Sequence, residues 1–262
     1  MRGALLMDTE RSYVSVVILA AGLGTRMRSD KAKVLHEICG RPMIRYVLAA
    51  ASGVVADEKI VVVVGCQADA VRMEALKHGK VLFAYQDKQL GTGHAAQCAL
   101  GRLPADARDV VIMCGDVPFI TPQTIANLVD SHREFDNDVT LLSVVLDNPT
   151  GYGRIVTDAS GNVARIVEEA DASRDEKSIN TVNAGTYCIK KSFLECALGG
   201  IAPDNAQNEI YLTDIVKVAN TNARRVGMVA IKDADEVIGI NSVSDLARAE
   251  QSMRDAHLGK TS

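Results

Sequence analysis

The sequence predicts an α/β fold with a mostly parallel central sheet flanked by helices. Three observations point there: short runs of β-branched residues, helical stretches alternating with them, and a glycine-rich loop directly after the first run. The first run is Val14-Ser15-Val16-Val17-Ile18-Leu19. It is followed by Lys59-Ile60-Val61-Val62-Val63-Val64 and Asp109-Val110-Val111-Ile112-Met113. Continuous apolar runs of this length are what a parallel sheet covered on both faces requires. Helical composition fills residues 43–51, 68–76, 93–103 and 123–135, with Pro42 and Pro122 expected in the first turns of their helices, where a missing N–H costs nothing. Alternation of this kind builds an α/β domain with right-handed crossovers.

The pattern changes after Asp138. Residues 139–146, 154–157, 163–167 and 182–189 read as strands with little helix between them, which predicts a strand-rich lobe beside the first half. Residues 210–220 and 243–257 read as helices, and the last ends in a polar tail, 259–262. Residues 1–12 read as a loose extension, with Met7 an alternative start, 13–242 as the main domain and 243–262 as a C-terminal helix and linker.

A chain of 262 residues that is 47% apolar can bury a full core. Its net charge of -4, with both signs mixed along the chain, argues against a nucleic-acid partner, which would call for clustered Lys and Arg. Cys39, Cys66, Cys98, Cys114, Cys188 and Cys196 show no CxxC spacing, so they are expected as reduced core thiols and not as a zinc site. The apolar run 14–21 is far too short to span a bilayer, so no membrane association and a cytoplasmic location are expected.

The loop after the first strand reads Leu19-Ala20-Ala21-Gly22-Leu23-Gly24-Thr25-Arg26-Met27. At the carboxyl end of a parallel strand it lies where open α/β sheets bind ligands. Glycine lets backbone N–H groups approach phosphate oxygens, small Ala residues leave room for a base, and Arg26 and Lys33 supply positive charge for a triphosphate. Met27 stands where a dinucleotide fingerprint has its third glycine, and no Gly-Lys-Ser/Thr follows Gly24 as a Walker A loop would need. The bland alternative is a tight turn with no ligand. Asp116, just past the third strand, is placed to hold a hard cation; its bland alternative is a turn cap near Pro118.

The string from Leu19 through Lys33-Val34-Leu35-His36 resembles the signature of sugar-1-phosphate nucleotidylyltransferases. It is most similar to the uridylyltransferase (pyrophosphorylase) domain of the bacterial bifunctional N-acetylglucosamine-1-phosphate uridylyltransferase/glucosamine-1-phosphate N-acetyltransferases. Gln86-Asp87-Lys88-Gln89-Leu90-Gly91-Thr92-Gly93-His94-Ala95 is similar to that family's base-recognition segment, and Cys114-Gly115-Asp116-Val117-Pro118 to its metal-binding turn. Asn148 to Ile155, Ile166-Val167-Glu168-Glu169 and Val182-Asn183-Ala184-Gly185 resemble its sugar-binding segments, and Glu209 to Asp214 and Gly239-Ile240-Asn241 complete the set in order.

The resemblance implies a Rossmann-like nucleotidyltransferase fold with a strand-rich sugar-binding lobe. It also implies Mg2+-dependent transfer of UMP from UTP to N-acetylglucosamine 1-phosphate, giving UDP-N-acetylglucosamine for cell-envelope synthesis. Arg26 and Lys33 are the implied catalytic residues, and Asp116 and Asn241 the implied ligands of Mg2+. Leu19, Ala20, Ala21, Gly22, Gly24, Lys33, Gln86, Gly91, Thr92, Cys114, Gly115, Asp116, Gly153, Glu168, Asn183 and Asn241 are the implied substrate contacts. His94 is expected to open a helix and pack or cap there, not to act as a base.

Two departures stand out: Ala32 replaces the family's usual Pro, which predicts a looser loop, and Ala184 replaces its usual Thr. Another sugar-1-phosphate nucleotidylyltransferase and a non-catalytic nucleotide-sugar sensor remain open, although a sensor tends to lose the charged residues kept here. The left-handed β-helix of the bifunctional relatives has no counterpart in these residues, so acetyl transfer is not expected and oligomerisation is open.

Overall fold

The computed structural model describes residues 13–27 and 29–258; the expected extension over 1–12 and the polar tail 259–262 lie outside the described residues. In chain order the strands are β1 (Val14–Leu19), β2 (Glu37–Ile38), β3 (Arg41–Pro42), β4 (Ile60–Val64), β5 (Leu82–Tyr85) and β6 (Asp109–Cys114). They continue with β7 (Val139–Val145), β8 (Arg154–Thr157), β9 (Val163–Val167), β10 (Thr181–Lys190) and β11 (Val226–Ala230). The α-helices are α1 (Met43–Ser52), α2 (Ala68–Leu76), α3 (Thr92–Leu100), α4 (Pro122–Glu134), α5 (Lys191–Leu198), α6 (Asp214–Thr221) and α7 (Val243–Leu258).

Strands run across the main sheet in the order β11-β7-β10-β6-β1-β4-β5. β5, β4, β1 and β6 are parallel, β10 is antiparallel to both its neighbours, and β11 is parallel to β7. From β1 the chain moves outward through β4 and β5, then returns to place β6 on the other side of β1. That reversal opens a crevice at the carboxyl ends of β1 and β6, where such sheets take ligands.

Alternation along each strand feeds two cores. Val14, Val16, Ile18, Val62, Val64, Val111 and Met113 face one core, closed by Ile44 and Leu48 of α1, Val71 of α2 and Ile125 and Leu128 of α4. Val17, Val61, Val63, Val110 and Ile112 face the other, closed by Ala95 and Ala99 of α3, Phe193 and Leu194 of α5 and Ile215 and Val216 of α6. Each Val, Leu, Ile, Phe or Met among them contributes about 1.5–3 kcal/mol on burial, which is why these strands carry no polar alternation.

The strand-rich half corrects the expectation of a lobe laid beside the domain. β7 is buried on both faces along six of its seven residues, and only a place inside the main sheet covers it twice. Only the β8–β9 hairpin departs from the sheet, joined to it where Val182 pairs with Arg154. The helix expected over 210–220 begins at Asp214, because Ile210 is held by backbone bonds from its N–H to Leu90 O (2.7 Å) and from Gly93 N–H to its carbonyl (2.7 Å).

Pro122 opens α4 as expected, with the Thr121 hydroxyl accepting from Thr124 N–H at 3.1 Å. Pro42 instead sits at the cap of α1 with an extended ψ of 139°. Cys39 and Gly40, at φ 50° and 77°, form the two-residue turn between β2 and β3, a left-handed pairing that suits a tight hairpin. Cys39 is therefore exposed, and so is Cys196 of α5; of the six free thiols only Cys188 is buried. No helix among the described residues is long and apolar enough to cross a membrane.

His132 of α4 is 1% exposed; its Nδ1 lies 2.9 Å from Thr140 Oγ1 of β7 and its Nε2 3.8 Å from Asp109 Oδ1. Burial holds its pKa well below the ordinary 6.5, against the opposing pull of Asp109. The unfolded chain then binds the proton first, so the stability that neutral His132 contributes is present above its ordinary pKa and is lost as the pH falls below it. Denaturant melts at about pH 7.5 and about pH 5 should show the wild type losing stability on acidification, and His132→Gln, though less stable throughout, losing less between the two.

Candidate active site

Leu19 of β1 and Cys114 of β6 are paired at the ends of their strands, and Gly115 N–H donates to Leu19 O at 2.9 Å. The chain leaves β1 through Ala20 and Ala21, both buried, then Gly22, which is exposed. Gly24 has φ +70°, and a Cβ there would lie 2.7 Å from Lys33 Cβ. Glycine at this position is what lets Lys33 lie across the loop toward β6.

Three segments far apart in sequence meet at that lysine. Lys33 Nζ donates to Asp116 Oδ2 in a short ion pair and to Asn241 Oδ1 at 2.5 Å. Arg26 Nη2 also donates to Asn241 Oδ1, at 3.0 Å. The side chains of Lys33 and Asp116 are 15% and 16% exposed, so their attraction is only partly screened. Asn241 is placed by its neighbours: Ile240 N–H donates to Asp116 O at 2.9 Å, and Asn241 N–H to Asp245 Oδ2 of α7 at 3.1 Å.

Asp116 and Asn241 suit a hard divalent cation. Their oxygens already converge on one positive charge, the Lys33 ammonium. Among the described residues there is no cluster of three or more His, Cys, Asp or Glu that could hold a metal. A carboxylate and an amide oxygen completed by phosphates and water is the donor set Mg2+ prefers.

A cavity of about 270 Å³ lies beside this centre, lined by Leu19, Ala20, Ala21, Gly22, Lys33, Val34, Gln86, Gln89, Gly91, Thr92, Ala95, Cys114, Asp116 and Glu209. Gln86, at the end of β5, is 6% exposed, and its Nε2 donates to Gly91 O at 3.0 Å. His94 Nδ1 lies 3.1 Å from the same nitrogen, so His94 does more than pack: it holds Gln86. The Thr92 hydroxyl accepts from Leu212 N–H at 3.0 Å, which ties the start of α3 to the 209–212 segment. Gln89 and Glu209 line the cavity without having been singled out from sequence; Gln89 Nε2 bonds Ala21 O at 2.9 Å and so clamps the glycine loop. Both lay within motif strings already recognised, which was the available signal.

Gly153, Glu168 and Asn183 gather on the other side of Cys114. Asn183 N–H donates to Gly153 O at 2.9 Å, and Asn183 lies at the bulge of β10 between Asn183 and Tyr187. Its Nδ2 donates to Tyr187 OH at 2.6 Å while its Oδ1 accepts from Gly185 N–H at 3.1 Å. Glu168 Oε1 accepts from Thr213 Oγ1 at 2.9 Å, yet burial raises its pKa, helped by nearby Asp171, Asp214 and Glu209. Glu169 points elsewhere, its Oε2 2.7 Å from Arg154 Nη2. The Cys114 thiol, 3.7 Å from Gly185 O, bridges the two sides; burial pushes it up to about 12, so it is a packed group and not a nucleophile. A larger cavity of about 660 Å³ lies between α5 and α6; of the residues just described only Asp214 reaches it.

The profile of the MobA-like NTP transferase domain matches residues 16–179, which carry the glycine loop, Lys33, Gln86 and Asp116. The chain belongs to that family. It is 44% identical over 92% of its length to the bifunctional protein GlmU of Desulfotalea psychrophila, of which it spans 70%. Against the bifunctional protein GlmU of Caldanaerobacter subterraneus it is 46% identical over 91% of its length, and it spans about half, 51%, of that protein. A solved UDP-glucose pyrophosphorylase complexed with UDP-glucose, 17% identical, superposes with a TM-score of 0.74 over 92% of this chain and 98% of that one, and so supports the fold.

In this NTP transferase Ala32 makes a contact that the family's proline could not. Ala32 is fully buried at φ -52°, close to the angle a proline would impose, and its N–H, which proline lacks, donates to Gln67 Oε1 at 3.0 Å. That hydrogen bond ties Ala32 to the residue that caps α2.

Gly91 is the more constrained glycine. It has φ +105°, and a Cβ there would stand 2.5 Å from Ile210 O. Gly91→Ala should cost about 1–3 kcal/mol and push Gly91 O away from Gln86. Thermal melts should show the loss of stability, and calorimetric titration with a nucleoside triphosphate should show affinity weakened about tenfold.

Proposed function

We propose that this chain transfers UMP from UTP to N-acetylglucosamine 1-phosphate, releasing pyrophosphate and UDP-N-acetylglucosamine. The observation that carries the reading is the convergence of Lys33, Asp116, Asn241 and Arg26 beside a glycine loop at the ends of β1 and β6. The identity with proteins named bifunctional protein GlmU supports the choice of reaction. The transfer unit spans residues 13–242, and the first turn of α7 supports it through Asp245.

UTP lies with its phosphates over Ala20 to Gly24 and its base toward Gln86, Gly91 and Thr92, in the cavity those residues line. The sugar phosphate enters past Gly153, Glu168 and Asn183. Asn183 and Glu168 offer amide and carboxylate partners for hydroxyl and acetamido groups. The sugar phosphate oxygen is already an anion, so no residue need remove a proton from it. It attacks the α-phosphorus in line, the bond to the bridging oxygen breaks, and pyrophosphate leaves.

This chain's contribution is positioning and charge neutralisation. Arg26 neutralises the triphosphate and the departing pyrophosphate, and Lys33 reaches phosphate oxygens lying over the loop. Mg2+ is the cation for Asp116 and Asn241, where it would polarise phosphate oxygens and offset their charge. The reaction is cytoplasmic in this reading, since its substrates are soluble nucleotides and sugar phosphates.

Incubation with UTP, N-acetylglucosamine 1-phosphate and Mg2+ should release pyrophosphate, with little release when the metal is chelated or when another nucleotide or sugar phosphate is supplied. Asp116→Ala should lower turnover on the order of a hundredfold or more while circular dichroism shows the fold retained. Near-normal turnover by that variant in Mg2+ would remove the metal role from Asp116.

A further inference from the structure

The side chain of Gln86 has both of its N–H donors engaged within the protein. Nε2 donates to Gly91 O at 3.0 Å and lies 3.1 Å from His94 Nδ1. A carbonyl oxygen cannot donate, so the contact with Gly91 assigns the nitrogen of the amide to that side. The second N–H then meets His94 Nδ1, which has to be the acceptor. That places the ring proton of His94 on Nε2, 3.8 Å from Cys98 Sγ. The backbone of Gln86 is fixed as well, with its N–H donating to Val64 O at 2.8 Å.

With both donors used, Oε1 is the only part of this amide left for a ligand in the cavity that Gln86 lines. It can accept and cannot donate. A base that brings an imide N–H to it is matched, as uracil does with N3–H. Cytosine brings the N3 lone pair to the same place, and two acceptors facing each other leave both unpaired. Turning the amide over to suit cytosine would set Oε1 against Gly91 O, and it would keep a bond to His94 only if the ring moved its proton from Nε2, beside Cys98 Sγ, to Nδ1.

We propose that His94 is a positioning residue for base choice, which locks the Gln86 amide so that the site takes a uridine nucleotide and refuses a cytidine one. The inference rests on reading this cavity as the nucleotide site and deepens it. His94 touches neither reacting atoms nor phosphates; it acts through Gln86. Losing it leaves Gly91 O as the only lock, so the selectivity weakens but does not vanish.

The test compares the whole chain with His94→Ala and His94→Asn, whose Oδ1 can stand near the position of Nδ1 and accept in its place. Calorimetric affinities for UDP and CDP and kcat/KM for UTP and CTP are measured for each, with thermal melts alongside. In His94→Ala the preference for uridine over cytidine nucleotides should fall about tenfold, the worth of one hydrogen bond, through Kd and KM and with kcat at saturating UTP little changed. His94→Asn should restore most of it. An unchanged ratio in His94→Ala, or an equal loss of affinity for both nucleotides, would overturn the proposal, and so would a wild type that prefers CDP. A wild type that binds neither nucleotide would instead overturn the reading of the cavity itself. Should His94→Ala melt too low to assay, the ratio in the folded His94→Asn decides: a uridine preference lost there refutes the lock, and one retained supports it.

Discussion

The ammonium of Lys33, held between Asp116 and Asn241, is the interaction on which the rest of the site depends. It joins the segment after the glycine loop to the turn after β6 and to the chain entering α7, three pieces that share no local contact in sequence. A partly buried cation needs such partners, since the cost of desolvation is recovered only when opposing oxygens are in place. The same oxygens that hold an ammonium are those that suit a divalent metal. Charge balance at the mouth of the sheet therefore shapes both the fold of these loops and the chemistry they can perform.

Much of this was legible in the sequence, and the physical reason differs from case to case. β1, β4 and β6 announce themselves because strands buried on both faces must be apolar throughout. β5 and β11 do not, since each is an edge strand with mixed exposure, and Gly227 interrupts the second. The second half read as a separate lobe because strand periodicity carries no information about which sheet a strand joins. β7 is the instructive element, since burial on both faces along its first six residues is the sign of a place inside the main sheet.

The site divides along similar lines. The glycine loop, Lys33 and Asp116 stand next to strands whose ends are predictable, so their meeting follows from the fold class. Asn241 comes from a loop far along the chain, and spacing alone could not have placed it; the motif resemblance did. The contact of His94 was missed because a histidine in the first turn of a helix looks like packing until its partner is known, and Gln86 lies on a different element. The tie at Ala32 was not legible for a related reason: Gln67, which makes it, sits before α2, in a left-handed conformation no residue pattern advertises.

α7 bears on the centre at a distance from any ligand. Its Asp245 accepts from Asn241 N–H and from Ser242 Oγ, while Leu246, Ala249 and Met253 pack with Ile38, Met43 and Ile240, and Glu250 accepts from Cys39 N–H. The helix is thus a splint: one end braces an oxygen of the cation centre, and its length is glued to the β2–β3 hairpin and α1. Peeling that splint from its apolar seat would let Asn241 swing away with no change in any residue that faces a substrate. Solvents or substitutions that loosen the seat would then act on the meeting of Asn241 with Lys33 and Arg26, although the seat lies outside the main sheet.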